Sequence, residues 1–312
     1  MNIISFKSLA LSLSLLVTIE TQAKLSRDFD LPGADLIYGN DDRHEIESYE
    51  DSDIIEKSQS IAMRVSKKRL TEDRDDADRI LFPTITLKRA IPNLCEDEKF
   101  QDQISLGNCS GFLAGPKTIV TAGHCMNSPK ECEDYKWVFG FKEGTTELSK
   151  NQVYSCKKIL HQKYVYSDKE VSDYAVIELD REVVSYKALK TRKFGRVLLN
   201  TPLVVVGHPM GLPMKATDGG VVSRMNDIER EHKFKSFFLK ENYFTANLDA
   251  YGGNSGSPVF NKRTGKIEGI LIQGAEDFVF NNERNCLESR RLSNSHLESY
   301  EKIMRITKIP GI

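Results

Sequence analysis

Gly253-Asn254-Ser255-Gly256-Ser257-Pro258-Val259 is a serine held between glycines, and Thr121-Ala122-Gly123-His124-Cys125 upstream answers it. A serine hydroxyl is a weak nucleophile unless a neighbouring base can take its proton. His124 is the candidate base, and such a base needs an acid to set its tautomer and stabilise its charged form. Asp168, Asp173 and Asp180 all lie between the two segments, but only Asp173 directly precedes an apolar run, Tyr174-Ala175-Val176-Ile177, which would bury its carboxylate. The candidates therefore run His124, Asp173, Ser255 along the chain. Gly252 and Gly253 permit backbone conformations that a Cβ disfavours. The amides of Gly253 and Ser255 can then converge on a developing oxyanion, where one donor is worth a factor of about 10² to 10³ in rate.

The same glycines separate this pattern from the strand-to-helix elbow of α/β-hydrolases. Ser257 stands where the last glycine of Gly-x-Ser-x-Gly would fall, and that class runs serine, acid, histidine. A secreted esterase of that type is disfavoured. Short β-branched and aromatic runs recur downstream of residue 80: Ile119-Val120-Thr121, Trp137-Val138-Phe139, Ala175-Val176-Ile177, Leu203 to Val206, Gly220-Val221-Val222, Tyr243-Phe244-Thr245 and Gly269 to Ile272. Many short strands between turn residues, without long helical patterns, predict an all-β barrel or sandwich. Ser295 with Glu298 forms a capping-box pattern, and Leu297, Tyr300 and Met304 share a helical face, so a closing C-terminal helix is expected. The acid-rich stretch 41–78 reads as a solvated surface segment. Within it, Ile61-Ala62-Met63-Arg64-Val65 alternates enough for a strand.

The chain has 312 residues with 44 basic against 45 acidic, a net charge of −1. That balance argues against a dedicated nucleic-acid binder. Lys7, the apolar run Leu9 to Ile19 and Thr21-Gln22-Ala23 read as a signal peptide over residues 1–23. The run is too short for the roughly 20 apolar residues of a spanning helix, so no membrane anchor is expected after cleavage. The mature protein is expected to be secreted or periplasmic, and a monomer. Residues 24–36 read as a leader or linker. In an oxidising compartment the six cysteines read as disulfides. Their spacings lack Cys-x-x-Cys and the chain lacks His-Glu-x-x-His, which argues against zinc. Pairing Cys109 with Cys125 would close a loop worth roughly 3 kcal/mol in the chain-entropy model. Cys95, Cys132, Cys156 and Cys286 allow three pairings, of which Cys132–Cys156 with Cys95–Cys286 is the expectation adopted.

Cys109-Ser110-Gly111-Phe112-Leu113 with Thr121-Ala122-Gly123-His124-Cys125 resembles the base-bearing half of the chymotrypsin/trypsin-like serine peptidases. Gly253 to Phe260 resembles the bacterial branch that includes the glutamyl endopeptidases. Ile37-Tyr38-Gly39-Asn40-Asp41-Asp42-Arg43 resembles the start of exported peptidases in that branch. The resemblance spans residues 37–309. It implies two six-stranded β-barrels with the active site between them, a C-terminal helix, protein or peptide substrates and no cofactor. Asn254 stands where animal trypsins place the aspartate that receives a new N-terminal amine, so that activation switch is not expected. Glutamyl endopeptidases carry a histidine in the strand after the nucleophile, and Gly269 to Gly274 has none. Asp249, six residues before Ser255, matches the pocket-floor acid of trypsins. It would favour Arg or Lys before the scissile bond, or else hydrogen-bond a turn. Lys67-Lys68-Arg69 is a candidate self-cleavage site. The rival to an enzyme is a peptidase fold that only binds proteins, and no triad member is missing to support it.

Overall fold

The computed structural model describes residues 37–167, 170–224, 242–274, 276–292 and 301–312, all within the compact unit Gly33–Ile312. The signal and leader segments fall outside these residues, as do Asp168 and the helix candidates Ser295, Leu297, Glu298 and Tyr300. Strand-rich architecture follows from the β-branched runs, every one of which contributes to a strand.

Six strands close into a barrel in the order Val153–Ser167, Glu170–Leu179, Thr118–Thr121, Cys109–Gly115, Ile61–Ser66, Tyr135–Phe139. Closure leaves no edge, and the interior is filled by side chains including Trp137, Phe112, Val120 and Ile177, all fully buried. Ile61–Ser66 is buried on both faces rather than on alternate residues. Its second face is covered by Leu106, Phe141 and Leu148, packed on Met63 and Val65. The acid-rich stretch is thus not simply a solvated segment. It also holds the helix Ser52–Ser58, whose N-terminal amides are capped by the Asp51 carboxylate, and the strand Arg43–Glu45.

The second half is one curled eight-stranded sheet rather than a six-stranded barrel. Its order is Val222–Arg224, Tyr243–Ala246, Glu301–Arg305, Ile267–Gln273, Pro258–Asn261, Leu203–Gly207, Lys215–Thr217, Arg43–Glu45. The last strand comes from the N-terminal region and pairs antiparallel with Lys215–Thr217. The expected helix is corrected over residues 301–305. Glu301–Arg305 is a strand between Tyr243–Ala246 and Ile267–Gln273, with Ile303 and Met304 buried. A central strand covered on both faces has no period-2 signature, which is why a helical spacing could be read into it.

Three disulfides form: Cys109–Cys125, Cys132–Cys156 and Cys95–Cys286. These are the expected pairings. Lys67-Lys68-Arg69 lies in a short 3₁₀ turn after a barrel strand. Arg69 donates to the Leu106 and Ser105 carbonyls at 2.7 and 2.8 Å. Lys67 and Lys68 are exposed, and cleavage there followed by loss of the preceding segment would remove the barrel strand Ile61–Ser66. Truncating the barrel core at Phe112→Ala should cost about 3–5 kcal/mol, read as a drop in unfolding free energy by denaturant titration; a loss below about 1 kcal/mol would contradict this packing.

Candidate active site

His124 opens a 3₁₀ turn, His124–Met126, at the end of the strand Thr118–Thr121. The Cys109–Cys125 disulfide ties that turn to the neighbouring strand. Asp173 lies within Glu170–Leu179, whose register sets Ala175 against Thr121. Two residues further along this ladder, Asp173 comes alongside Gly123 and His124. Its carboxylate, 0 % exposed, accepts the His124 backbone N–H through Oδ1 at 2.9 Å and contacts Nδ1 through Oδ2 at 2.7 Å. A carboxylate on Nδ1 holds the proton there and leaves Nε2 as the basic nitrogen. Asp180 instead accepts the Ser155 N–H at 3.1 Å on the exposed surface, away from this pair.

Tyr166 was not legible as part of this cluster. Tyr164 is the cross-strand partner of Asp173, so Tyr166 lies on the diagonal of the same ribbon face. Its hydroxyl donates to Asp173 Oδ2 at 2.9 Å. Burial, and then the Asp173 charge, push the phenol well above its ordinary pKa, keeping it a donor. The Tyr164 ring lies 5.9 Å from the His124 ring and 5.5 Å from that of Tyr166.

Ser255 lies in a tight turn built on glycines in the left-handed region, Gly253 at φ +91° and Gly256 at +86°. A Cβ on Gly253 would meet the His208 carbonyl at 2.7 Å, and one on Gly256 would overlap the Ser110 carbonyl and Thr121 Oγ1. The nucleophile loop is therefore pressed against the barrel. Ser110, on the barrel strand, donates its N–H to the Ser255 carbonyl at 2.8 Å and its hydroxyl to the Gly253 carbonyl at 2.9 Å. The Ser255 carbonyl also lies 3.8 Å from Cys125 Sγ, beside the histidine turn.

The two candidate oxyanion amides are aimed through their own peptide planes. In a trans peptide the N–H points opposite to the preceding C=O. The Gly252 carbonyl accepts from Met210 N–H, and the Asn254 carbonyl accepts from Ser257 N–H at 2.8 Å. The N–H groups of Gly253 and Ser255 are thereby turned the other way, and among the described residues neither donates to a protein acceptor. The Gly252 N–H is held by both Asp277 carboxylate oxygens at 3.2–3.3 Å. Neither Met210 nor Asp277 carries a motif in the sequence. Asn254 is buried, and its Oδ1 accepts from Ser257 Oγ at 3.3 Å.

Asp249 is buried at 2 % exposure, but both its oxygens are engaged. Oδ1 accepts the Tyr38 N–H at 2.6 Å and Oδ2 accepts the Asp42 N–H at 2.9 Å. It clasps the N-terminal segment at Tyr38 and Asp42. Beside this clasp the Arg43 guanidinium stacks 4.1 Å from the Tyr251 ring centre. His208 is fully buried, with Nδ1 3.0 Å from the Leu212 carbonyl. Burial lowers its pKa to about 4, so it stays neutral, packed under the loop. Cys109, His124 and Cys125 cluster as potential metal ligands, but the disulfide consumes both thiolates.

A family model for the trypsin-like peptidase domain matches residues 109–270. Among solved structures, this chain is similar to a Glu endopeptidase in complex with MPD, at 17 % identity and TM-score 0.47 over 88 % of this chain and 94 % of that one. It is also similar to an inactive form of the Rv3671c protease, at 13 % identity and TM-score 0.44 over 82 % and 87 % of the two chains. No curated protein matches the chain.

Two measurements check this geometry. Tyr166→Phe should lower kcat about tenfold through loss of a charge-assisted hydrogen bond. KM should stay near the wild-type value, because the contact restrains Asp173 and not the substrate; an unchanged kcat would mean a merely structural role. Burial pushes the Asp249 carboxyl up to about 7. A carboxyl whose pKa is raised on folding binds its proton more tightly in the native state. Its contribution is present at low pH and declines from about pH 4 through about pH 7. The unfolding free energy of the wild type relative to Asp249→Asn should fall across that window; a flat difference would contradict the assignment.

Proposed function

The chain belongs to the trypsin-like peptidase family of serine peptidases, and we propose that it acts as an exported endopeptidase whose triad is Ser255, His124 and Asp173. The observation that carries the triad is the double contact of Asp173 on His124, to the backbone N–H and to Nδ1. With Nδ1 holding its proton, Nε2 takes the proton of Ser255 Oγ as that oxygen attacks the peptide carbonyl. The tetrahedral oxyanion is met by the amides of Gly253 and Ser255. As this intermediate collapses, charged His124 gives its proton to the leaving amine and an acyl-enzyme forms on Ser255. Water activated by the same His124 then hydrolyses the ester. No step needs a cofactor.

Export is supported by the three disulfides, which persist outside reducing compartments. Among the described residues no helix is long and apolar enough to cross a membrane. The engagement of both Asp249 oxygens argues against a preference for Arg or Lys set by that residue. Cleavage of a peptide library by the wild type and by Asp249→Ala should give the same preference before the scissile bond; a preference for Arg or Lys that vanishes in the variant would restore the pocket-acid role. Ser255→Ala should abolish both peptide hydrolysis and labelling by a serine-reactive phosphonate, and retained turnover would overturn the triad.

A further inference from the structure

The segment from Lys187 to Leu199 carries five basic residues and no acidic one, in a chain whose overall charge is close to zero. It is a surface strap with a well-anchored backbone. The Lys187 carbonyl accepts from Ser60 Oγ at 2.7 Å. Leu189 N–H donates to the Leu113 carbonyl at 2.8 Å, and Lys190 and Arg192 exchange backbone bonds with Ile267 at 3.0 and 2.9 Å. Arg192 forms a fork on Glu268, whose side chain is fully buried, and also donates to the Phe194 carbonyl at 3.3 Å.

What this anchoring presents is unusual for a soluble surface. Phe194 is 86 % exposed, beside Gly195 at φ +71°, and Leu198 and Leu199 are 71 % and 53 % exposed, beside Asn200 at φ +59°. Both are sharp, convex turns. Val197 between them points inward, at 2 % exposure, into the cluster with Leu203 and Val259. Lys190, Lys193 and Arg196, all exposed, are interspersed with the three apolar residues along the strap. Single exposed apolar residues need no explanation. Three of them raised on braced turns within a basic field do.

We propose that this strap docks the protein reversibly on an anionic bilayer surface, with Phe194, Leu198 and Leu199 entering the acyl boundary and the cations meeting lipid phosphates. Burial of apolar side chains combined with attraction to anionic lipid is how interfacial proteins hold a membrane without spanning it. A nucleic acid fits less well, because it rewards stacked aromatics along a groove and offers nothing to a leucine pair on a convex turn. The strap joins the Ile267 end of the strand Ile267–Gln273, whereas the carbonyl of Ile272 lies 3.5 Å from the Tyr166 hydroxyl beside the candidate triad. Five residues of strand separate these ends by about 16 Å, so docking leaves the nucleophile loop accessible.

The test is co-sedimentation of the mature protein with vesicles of phosphatidylcholine alone or mixed with phosphatidylglycerol. The wild type should be retained on the anionic vesicles and lost on the neutral ones. Lys190→Glu/Lys193→Glu and Phe194→Ser/Leu198→Ser/Leu199→Ser should each reduce retention about tenfold or more. Both variants should hydrolyse a soluble peptide at the wild-type rate, which reports an intact fold. Wild-type protein that stays in the supernatant, retention indifferent to lipid charge, or unchanged retention in the apolar variant would each overturn the proposal. So would release by double-stranded DNA accompanied by tight DNA binding that the apolar substitutions leave intact, since that would mark a simple polyanion site.

Discussion

Ser110 engages every polar atom it has at the seam between the barrel and the eight-stranded sheet, its N–H and hydroxyl reaching across it and its carbonyl staying within the barrel. Its N–H and hydroxyl donate to the carbonyls of Ser255 and Gly253, its Oγ accepts the His208 N–H at 3.0 Å, and its own carbonyl accepts Thr121 Oγ1 at 2.7 Å. The residue is fully buried. Removing any partner would leave a buried donor or acceptor unsatisfied, which costs about 1–3 kcal/mol. The candidate nucleophile Ser255 lies on the sheet side and the candidate base His124 on the barrel, so no single element can set their relation. Ser110 joins the two halves at the backbone of Ser255 itself.

The surrounding devices all act on the same few peptide planes. Met210 and Ser257 hold the carbonyls of Gly252 and Asn254, and Asp277 holds the Gly252 N–H. The close approach of the 208–211 loop excludes a Cβ at Gly253. These contacts fix the peptide planes that carry the Gly253 and Ser255 N–H groups before any substrate arrives. Such preorganised dipoles are worth more than donors that must reorient as charge develops. On the barrel side, Tyr166 and the His124 backbone share the Asp173 carboxylate, which restrains the acid from two directions.

Much of this site could be read from residue types alone, because motif chemistry is local. As candidates, Ser255, Gly253 and His124 are marked by their neighbours, and Asp173 by the apolar run that follows it. The cysteine pairings were also within reach, since few combinations were available. Asp249 could not be decided that way. Its position relative to Ser255 allows either a pocket acid or a turn-binding acid. The choice lies in where Tyr38 and Asp42, more than 200 positions away along the chain, bring their amides. Tyr166, Met210 and Asp277 were invisible for the same reason, since each acts through a backbone or carboxylate brought to it by folding.

The sequence by itself determined an all-β chain, the chain order of the candidate base, acid and nucleophile, and the short strands whose β-branched residues favour a pleated, half-buried surface. It misled where both faces of an element are covered. Met304 and its neighbours lost the alternation that marks a strand, whereas Ile61 to Val65 could still be read as a strand within an acid-rich stretch. Only the tertiary structure decided that Arg43–Glu45 joins the far sheet, that Asp249 clasps the N-terminal segment, and how Ser110 relates the two halves. The physical reason is range. Propensity and motif spacing act over a few residues, whereas these outcomes depend on hydrogen bonds between segments that meet only after the barrel has closed.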